Sequence, residues 1–515
     1  MTANPKSINN RGAAGPLTAS AVAGLVESIS VLDKSDSTEM VHPGIQEQLL
    51  KSAERDADIV ILGSGPAGYV GAIRAAQLGA RVVVVEKGAV GGTCLNIGCV
   101  PTKVLLACVA IVDAAKSGEE FGVKIDKYDL DIPTMMSRKN STVRRLVGGV
   151  ESLFKKNQIR LVRGVGRLSD QHTVTVQTES GVETIRAGKI IIATGSTTAL
   201  LPIPGFEIGE NVWTSTEALS FDKIPESMLV IGAGAIGLEA GYTLARLGTN
   251  VLVVEMKSQI LPAADTETAN ELMKSLKQAG MKFMVDSTVS AAEDIPGGKR
   301  VTIKTGDKEE VRDFEKVLVA IGRRPATDNI GLDEIGIKHD RGKIIVDEHM
   351  RTNVSDIYAA GDCTGEPMLA HVGWTECIAA VEDALGMGSR MDYHAIPACV
   401  YTTPECASVG LTEEQARERY KDVRVGRFLF RHNSKAMAIG GIDGFVKVLS
   451  EGKYGEILGV HMVGPHVTDL IAEAVVAMRN ELTVDELVAS IHPHPTLSEA
   501  VQEAAYDALG RAIHK

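Results

Sequence analysis

Asp58-Ile59-Val60-Ile61-Leu62-Gly63-Ser64-Gly65-Pro66-Ala67-Gly68 leads into a helical pattern that runs to Leu78 and stops at Gly79, and Arg81 to Val85 is a second apolar run closed by Glu86. A short β-branched strand, a tight glycine turn, a helix and another strand come in the order of a dinucleotide-binding βαβ unit. After Arg81 the second run is wholly apolar, as a parallel strand covered on both faces should be. In such a unit Gly63 makes the turn, Gly65 lets a pyrophosphate approach the backbone, and Gly68 lets the helix lie against the strand. The phosphate then meets the positive end of the helix.

The device returns at Met228 to Ile231, followed by Gly232-Ala233-Gly234-Ala235-Ile236-Gly237, a helix to Leu247, Gly248, a strand from Asn250 to Val254, and Glu255. Gly65 to Gly234, Gly68 to Gly237, Gly79 to Gly248 and Glu86 to Glu255 are each displaced by 169 positions. A lone GxGxxG is a weak signal, but two in matched context, each with an acid at the same distance, are strong. Glu86 and Glu255 are placed to accept from a ribose diol and to repel a 2′-phosphate, which favours FAD and NAD over NADP. The plainer alternative is that both glutamates merely end strands at the surface.

Six residues after Glu86 comes Gly92-Thr93-Cys94-Leu95-Asn96-Ile97-Gly98-Cys99-Val100-Pro101-Thr102-Lys103, leading into an apolar helix. Two thiols stand five positions apart at a helix start, where the positive end lowers a thiolate pKa. Pro101 is expected to relax the first turns enough for the sulfurs to meet. Zinc would need a second ligand pair, and Cys108, Cys363, Cys377, Cys399 and Cys406 offer none at suitable spacing, so no metal site is expected. Inert core cysteines are the other alternative. Because the pair follows the first nucleotide unit directly, that unit is assigned to flavin and the second to nicotinamide.

The whole chain of 515 residues, with 44% hydrophobic and 23% charged residues, is long enough for several domains. A net charge of -12 argues against nucleic acid or an anionic membrane as a partner. No run of eighteen uninterrupted apolar residues is present, so no membrane span is expected. Seven cysteines are too few for a secreted disulfide scaffold and suggest a reducing compartment, the cytoplasm. Residues 1–54 lack a strong period, and no acid precedes Glu27, so they read as a flexible extension. A transit segment, which would move the protein to an organellar matrix, is the alternative.

The cysteine segment resembles the redox-active signature of the class I pyridine nucleotide-disulfide oxidoreductases, and among them the dihydrolipoamide dehydrogenases. The likeness runs from about residue 55 to the end. It implies an α/β fold of two Rossmann-like FAD/NAD-binding domains plus a C-terminal α+β dimerisation domain. The expected divisions are FAD-binding 55–204, NAD-binding 205–324, a second FAD or central part 325–393, and interface 394–515. By this resemblance Cys94 exchanges with a dithiol substrate, Cys99 contacts the flavin, and Lys103 lies beside the flavin, paired with Glu239. A solvent-facing lysine is the alternative for Lys103. Gly166, Thr194, Gly195, Ser196, Asp362 and the segment Met368, Leu369, Ala370 and His371 are implied on the flavin side, and Val289 and Gly322 on the nicotinamide side. Alone, Gly361-Asp362 is an ordinary turn.

Near the end stands His492-Pro493-His494-Pro495-Thr496-Leu497-Ser498-Glu499. Thr496 to Glu499 has the form of a capping box for the last helix. Functionally, Glu499 would hold the His494 imidazole as it removes a proton from the dithiol. The resemblance implies that this base crosses a homodimer interface, and that the substrate is a lipoyl domain of a 2-oxoacid dehydrogenase or glycine-cleavage complex. Mercuric and low-molecular-weight disulfide reductases are related alternatives. Gly510 to Lys515 lack the paired cysteines of the first, and Met256-Lys257-Ser258 offers only one base where the second expects several. A flavoprotein acting mainly in redox-dependent protein binding would need neither the thiol pair nor His494 and Glu499.

Overall fold

In the computed structural model, which describes residues 55–365 and 367–515, the strand Ala57–Leu62 is buried along its whole length. Expectations for residues 1–54 lie outside the described residues. Ala57–Leu62 pairs in parallel with Val82–Glu86 on one side and Gly181–Ile192 on the other. Arg160–Arg163 and Ile357–Ala359 extend the parallel part at its two edges. The helix Pro66–Gln77 crosses over between the first two strands and packs against Ala370–Ala384, so closely that a Cβ at Gly71 would lie 2.3 Å from the Cys377 sulfur.

The second unit repeats this plan with an all-parallel sheet ordered Lys282–Met284, Asn250–Val254, Ser227–Ile231, Lys316–Val319 and Val212–Trp213. Each unit also carries an antiparallel layer. Val165–Asp170, Thr173–Thr178 and the start of Gly181–Ile192 form it in the first. Ser287–Ile295, Gly298–Thr305 and Lys308–Phe314 form it in the second. The duplication read from the glycines thus extends through the whole of each unit.

The long helix Cys99–Ser117 lies along Ala235–Leu247 of the second unit. Leu105, Leu106, Val109 and Val112 share a buried cluster with Leu238 and Tyr242. Polar contacts pin the far end: Tyr242 Oη donates to Asp113 at 2.8 Å, and Lys116 Nζ donates to the Arg246 carbonyl at 2.8 Å. This packing qualifies the expectation about membranes. The helical stretch Gly92–Phe121 is long and apolar enough to cross a bilayer by composition. It is, however, interrupted at Gly98, its Lys103 is paired with Glu239, and one face is packed into the protein, as in an amphipathic helix.

The C-terminal part is a five-stranded antiparallel sheet ordered Ala398–Val400, Glu405–Gly410, Ile457–Gly464, Phe445–Glu451 and Val423–Leu429. Helices Val467–Arg479 and Glu499–Ala508 pack on it and share its core. Lys447, 1% exposed, fastens this sheet to the second nucleotide unit through Asp265 at 2.8 Å and Glu267 at 3.2 Å, and pairs with Glu413 of its own part at 2.8 Å. Burial pushes Asp265 and Glu413 up, yet the Lys447 ammonium, together with His461 and the Glu413 N–H at Asp265 and with Arg417 at Glu413, outweighs it and holds both carboxyls below their usual range. Lys447→Met is therefore expected to cost about 3 kcal/mol, because it leaves buried acids without their cation. That contribution is full above the ordinary carboxylate pKa of about 4 and is lost as pH falls through the lowered folded-state values. Denaturant unfolding of the two proteins at pH 7 and stepwise below about pH 4 checks both the size and the sign.

Candidate active site

The two glycine turns are built alike, and each glycine can be asked whether the protein itself requires it. A Cβ at Gly63 would lie 2.3 Å from the Ala193 carbonyl oxygen, and one at Gly232 would lie 2.5 Å from that of Ala320. A Cβ at Gly68 would lie 1.9 Å from the Gly63 oxygen, and one at Gly237 would lie 2.1 Å from the Gly232 oxygen. These four are demanded by packing. Gly65 and Gly234 are different: both have ordinary negative φ, nothing meets a Cβ at Gly234, and the nearest atom at Gly65 is 3.9 Å away. The protein leaves room there, where the fold brings a pyrophosphate to the helix start.

Gly234→Ala is accordingly expected to leave thermal stability unchanged while raising KM for NAD roughly tenfold, equivalent to about 1.4 kcal/mol. Gly237→Ala should instead destabilise the unit by ~1–3 kcal/mol through overpacking. Melting curves beside NAD saturation curves separate the two, and an equal fall in melting temperature in both would contradict this reading.

Glu86 and Glu255 are buried rather than surface strand ends. Glu86 accepts from Ser64 N at 2.8 Å, Ser64 Oγ at 2.6 Å and Gly88 N at 2.7 Å. Glu255 accepts from Ala233 N at 2.7 Å and Lys257 N at 2.9 Å. Ser64 and Ala233, like Gly88 and Lys257, are again 169 positions apart. Each carboxylate thus braces its own glycine turn, and its four lone-pair sites leave capacity for a ribose diol.

The cysteine segment folds directly over the first turn. Gly91 N donates to Ser64 O at 2.9 Å, and Gly92, at φ 57°, comes so near that a Cβ on it would lie 2.7 Å from Gly65 Cα. Cys94 lies in the short helix Gly92–Ile97 and Cys99 begins Cys99–Ser117. The break is at Gly98, where a Cβ would press to 3.0 Å from the Thr93 carbonyl oxygen. Gly98, not Pro101, therefore lets the two thiols meet. Cys94 and Cys99 stand on either side of that break, and a thiol-to-thiol hydrogen bond is the largest influence on the titration of each. The bond from Cys94 brings Cys99 down to about 7 against the opposing effect of burial, and the Lys103 ammonium helps; the shared proton and burial push Cys94 up. Lys103 Nζ is 2.7 Å from Glu239 Oε2 and 4.1 Å from the Tyr401 ring centroid, and Tyr401 N donates to Glu239 Oε1 at 3.0 Å. Lys103 is thus held by Glu239 rather than directed at solvent.

On the other side stand Thr194, Gly195 and Ser196, with Gly195 at φ 72°. Ser196 Oγ donates to Asp362, and Arg323 donates from Nε to Ser196 Oγ at 2.6 Å. The buried Thr194 hydroxyl has no protein partner, and a ligand's polar group would answer it. The Gly361-Asp362 turn is wedged between Ala67 and the start of Ala370–Ala384, where a Cβ at Gly373 would come within 3.0 Å of Gly361 Cα. Met368 and Leu369 lead into that helix, and His371 spends Nε2 on the Pro397 carbonyl at 2.8 Å. Gly166 brings its strand against the first unit, since a Cβ there would meet Leu62 and Val85 side chains at 2.9 and 3.0 Å. Val289 is 6% exposed and sits in the apolar core of the second unit, so its side chain packs the nicotinamide unit. Gly322, at φ 125°, ties the strand after that unit to the Ser196 segment by accepting from Ala199 N at 3.0 Å.

His494 Nδ1 is 2.8 Å from Glu499 Oε1, and its side chain is 73% exposed. Glu499 accepts from Thr496 N at 2.8 Å, but the helix is capped at Ser498 and Thr496 Oγ1 donates to the Pro493 carbonyl, so only half of the expected capping box forms. Burial raises Glu499, while the Thr496 N–H and the imidazole outweigh it and hold the carboxyl low. His492 is spent elsewhere, with Nε2 at 2.6 Å from Glu473 and Nδ1 at 3.0 Å from the Ser490 carbonyl oxygen. Sequence reasoning missed Arg323 and Tyr401 as neighbours of the sulfurs, although Arg323 directly follows Gly322, which it had singled out.

Two mononucleotide units, a thiol pair folded over the first, and a separate imidazole and carboxylate define a nucleotide-dependent thiol oxidoreductase. The chain belongs to the pyridine nucleotide-disulphide oxidoreductase family, whose model matches residues 57–377, and residues 396–505 match that family's dimerisation domain. Its cofactors are FAD and NAD. It is 41% identical over 477 residues to the mitochondrial dihydrolipoyl dehydrogenase of Pisum sativum, covering 91% of this chain and 95% of that one. With the dihydrolipoyl dehydrogenase of Thermus scotoductus it shares 43% over 462 residues, 89% of this chain and 98% of the other. Among solved structures, LpdA from Mycobacterium tuberculosis superposes with a TM-score of 0.81 at 28% identity, covering 87% of this chain and 98% of that one.

Proposed function

We propose that the protein is a dihydrolipoyl dehydrogenase that returns a protein-bound dihydrolipoyl group to its disulfide and reduces NAD. The observation that carries this reading is the Cys94 and Cys99 pair, set on either side of the Gly98 break and folded over the first glycine turn. In the oxidised enzyme the pair is a disulfide. One substrate thiol, deprotonated by His494, attacks Cys94 and releases Cys99 as a thiolate; the second substrate thiol then displaces Cys94 and closes the lipoyl ring. Two electrons and two protons leave the substrate. Lys103, braced by Glu239, places positive charge near the Cys99 thiolate. Gly63, Gly65, Gly68, Glu86, Thr194, Ser196 and Asp362 would hold FAD, which when bound relays the two electrons from the thiols to NAD. Gly234 and Glu255 would hold NAD, and one proton is released to solvent for each NADH formed.

The dimerisation domain supports a homodimer, and His494, exposed in one chain, is read as serving the sulfurs of its partner. The macromolecular partner is a lipoyl domain of a 2-oxoacid dehydrogenase or glycine-cleavage complex. The sparse cysteines favour the cytoplasm, with an organellar matrix as the alternative if residues 1–54 direct transport. The test is a substrate panel on the purified flavoprotein. Dihydrolipoamide with NAD should be turned over, while NADPH with glutathione disulfide and NADPH with mercuric ion should be poor. Fast mercuric reduction with inert dihydrolipoamide would overturn the reading and leave the fold untouched.

A further inference from the structure

Arg323 begins the short strand Arg323–Pro325, paired antiparallel with Ser196–Thr198, and its side chain is 15% exposed. Nε donates to Ser196 Oγ at 2.6 Å. Nη2 donates to the Ser196 carbonyl at 2.8 Å and reaches Thr93 Oγ1 at 3.5 Å. Asp362 Oδ2 is 3.9 Å from Nε. One planar fork therefore touches the residue before Cys94, the Ser196 segment and the Asp362 turn, which come from three distant parts of the chain. A lysine offers a point charge and cannot span all three.

The charges facing the sulfurs come from several elements. Lys103 lowers Cys99, and Glu239, 2.7 Å from its ammonium, offsets part of that effect. Tyr69 faces the Cys94 side. Arg323 holds Asp362 only at the longer separation of 3.9 Å, which leaves its field less cancelled, and it is electrostatically coupled to Cys99. Burial lowers the guanidinium pKa, but from a value so high that the group remains charged.

We propose that Arg323 is a positioning residue for the thiol pair: it fixes the Cys94-bearing turn to the Ser196 and Asp362 segments and supplies positive charge that stabilises the Cys99 thiolate. This rests on the reading of Cys94 and Cys99 as the redox pair. The experiment compares the reduced holoenzyme with Arg323→Met and Arg323→Lys, measuring the pH midpoint of Cys99 alkylation by iodoacetamide and the rate of FAD release. Arg323→Met should raise the midpoint by about one pH unit, the scale of losing one nearby opposite charge, and should speed FAD release roughly tenfold. Arg323→Lys should keep the midpoint yet release FAD faster, because the charge remains and the fork does not. Arg323→Gln reports on the same midpoint should the methionine variant fail to fold. An unmoved midpoint in the uncharged variants would overturn the proposal, as would equal shifts in Lys and Met. Wild-type turnover of dihydrolipoamide tests the redox-pair reading separately: an inactive wild type sinks that reading, whereas an active one with unmoved midpoints sinks only the role of Arg323.

Discussion

Cys99→Ser is expected to lower dihydrolipoamide-dependent NAD reduction by roughly 10⁴-fold or more, the scale on which a group working as part of a unit is lost. Attack on Cys94 would have no disulfide to open, so no mixed disulfide forms and the substrate's two electrons have no acceptor among the sulfurs. Reduction of an artificial dye by NADH, which bypasses the sulfurs, should stay within about threefold of wild type. Steady-state assays with both acceptors check this, and retention of a tenth of the lipoamide rate would contradict it. The same pair makes a titration prediction. Reduced wild type should be alkylated at Cys99 with a midpoint near the value of about 7. Below that midpoint the thiol is protonated and unreactive. In Cys94→Ala the midpoint should rise, because the bond from Cys94 is the largest cause of the lowering.

His494→Gln is expected to reduce kcat for dihydrolipoamide by roughly 10²- to 10⁴-fold, the usual scale for a general base. The residual rate should climb with pH through the ordinary thiol range of about 8.5, where the substrate loses its proton without help. Dye reduction should be unaffected. If the imidazole serves the partner chain, mixing Cys99→Ser and His494→Gln subunits creates hybrid dimers with one complete site, and up to roughly a quarter of wild-type activity should return. If base and sulfurs belong to one chain, mixing restores nothing. A His494→Gln enzyme with an unchanged pH profile would remove the imidazole from the mechanism.

The nucleotide units were legible because their signal is local. Gly68 is fixed by a contact with Gly63 five residues before it, and the strand after each helix is a short apolar run because both faces are covered. The 169-residue displacement went further than expected, since Glu86 and Glu255 brace equivalent backbone groups. Lys103 with Glu239, and His494 with Glu499, were reached through family resemblance, and the geometry places each pair within 2.8 Å. What stayed hidden depends on distant chain segments meeting. Arg323 bonds Ser196 across 127 positions, and Lys447 meets Asp265 across 182, with no periodicity to announce either. The break at Gly98 was misassigned to Pro101, although proline is tolerated in a first helical turn, where its missing N–H is not needed.

The most direct test of the account is a thiol count on the purified yellow protein before and after one equivalent of dihydrolipoamide, under denaturing conditions without oxygen. The chain has seven cysteines. The account predicts five free thiols and a peptide crosslink between Cys94 and Cys99 in the oxidised enzyme, then seven free thiols and no crosslink after substrate. Seven free thiols throughout, in an enzyme that still turns over dihydrolipoamide, would contradict it.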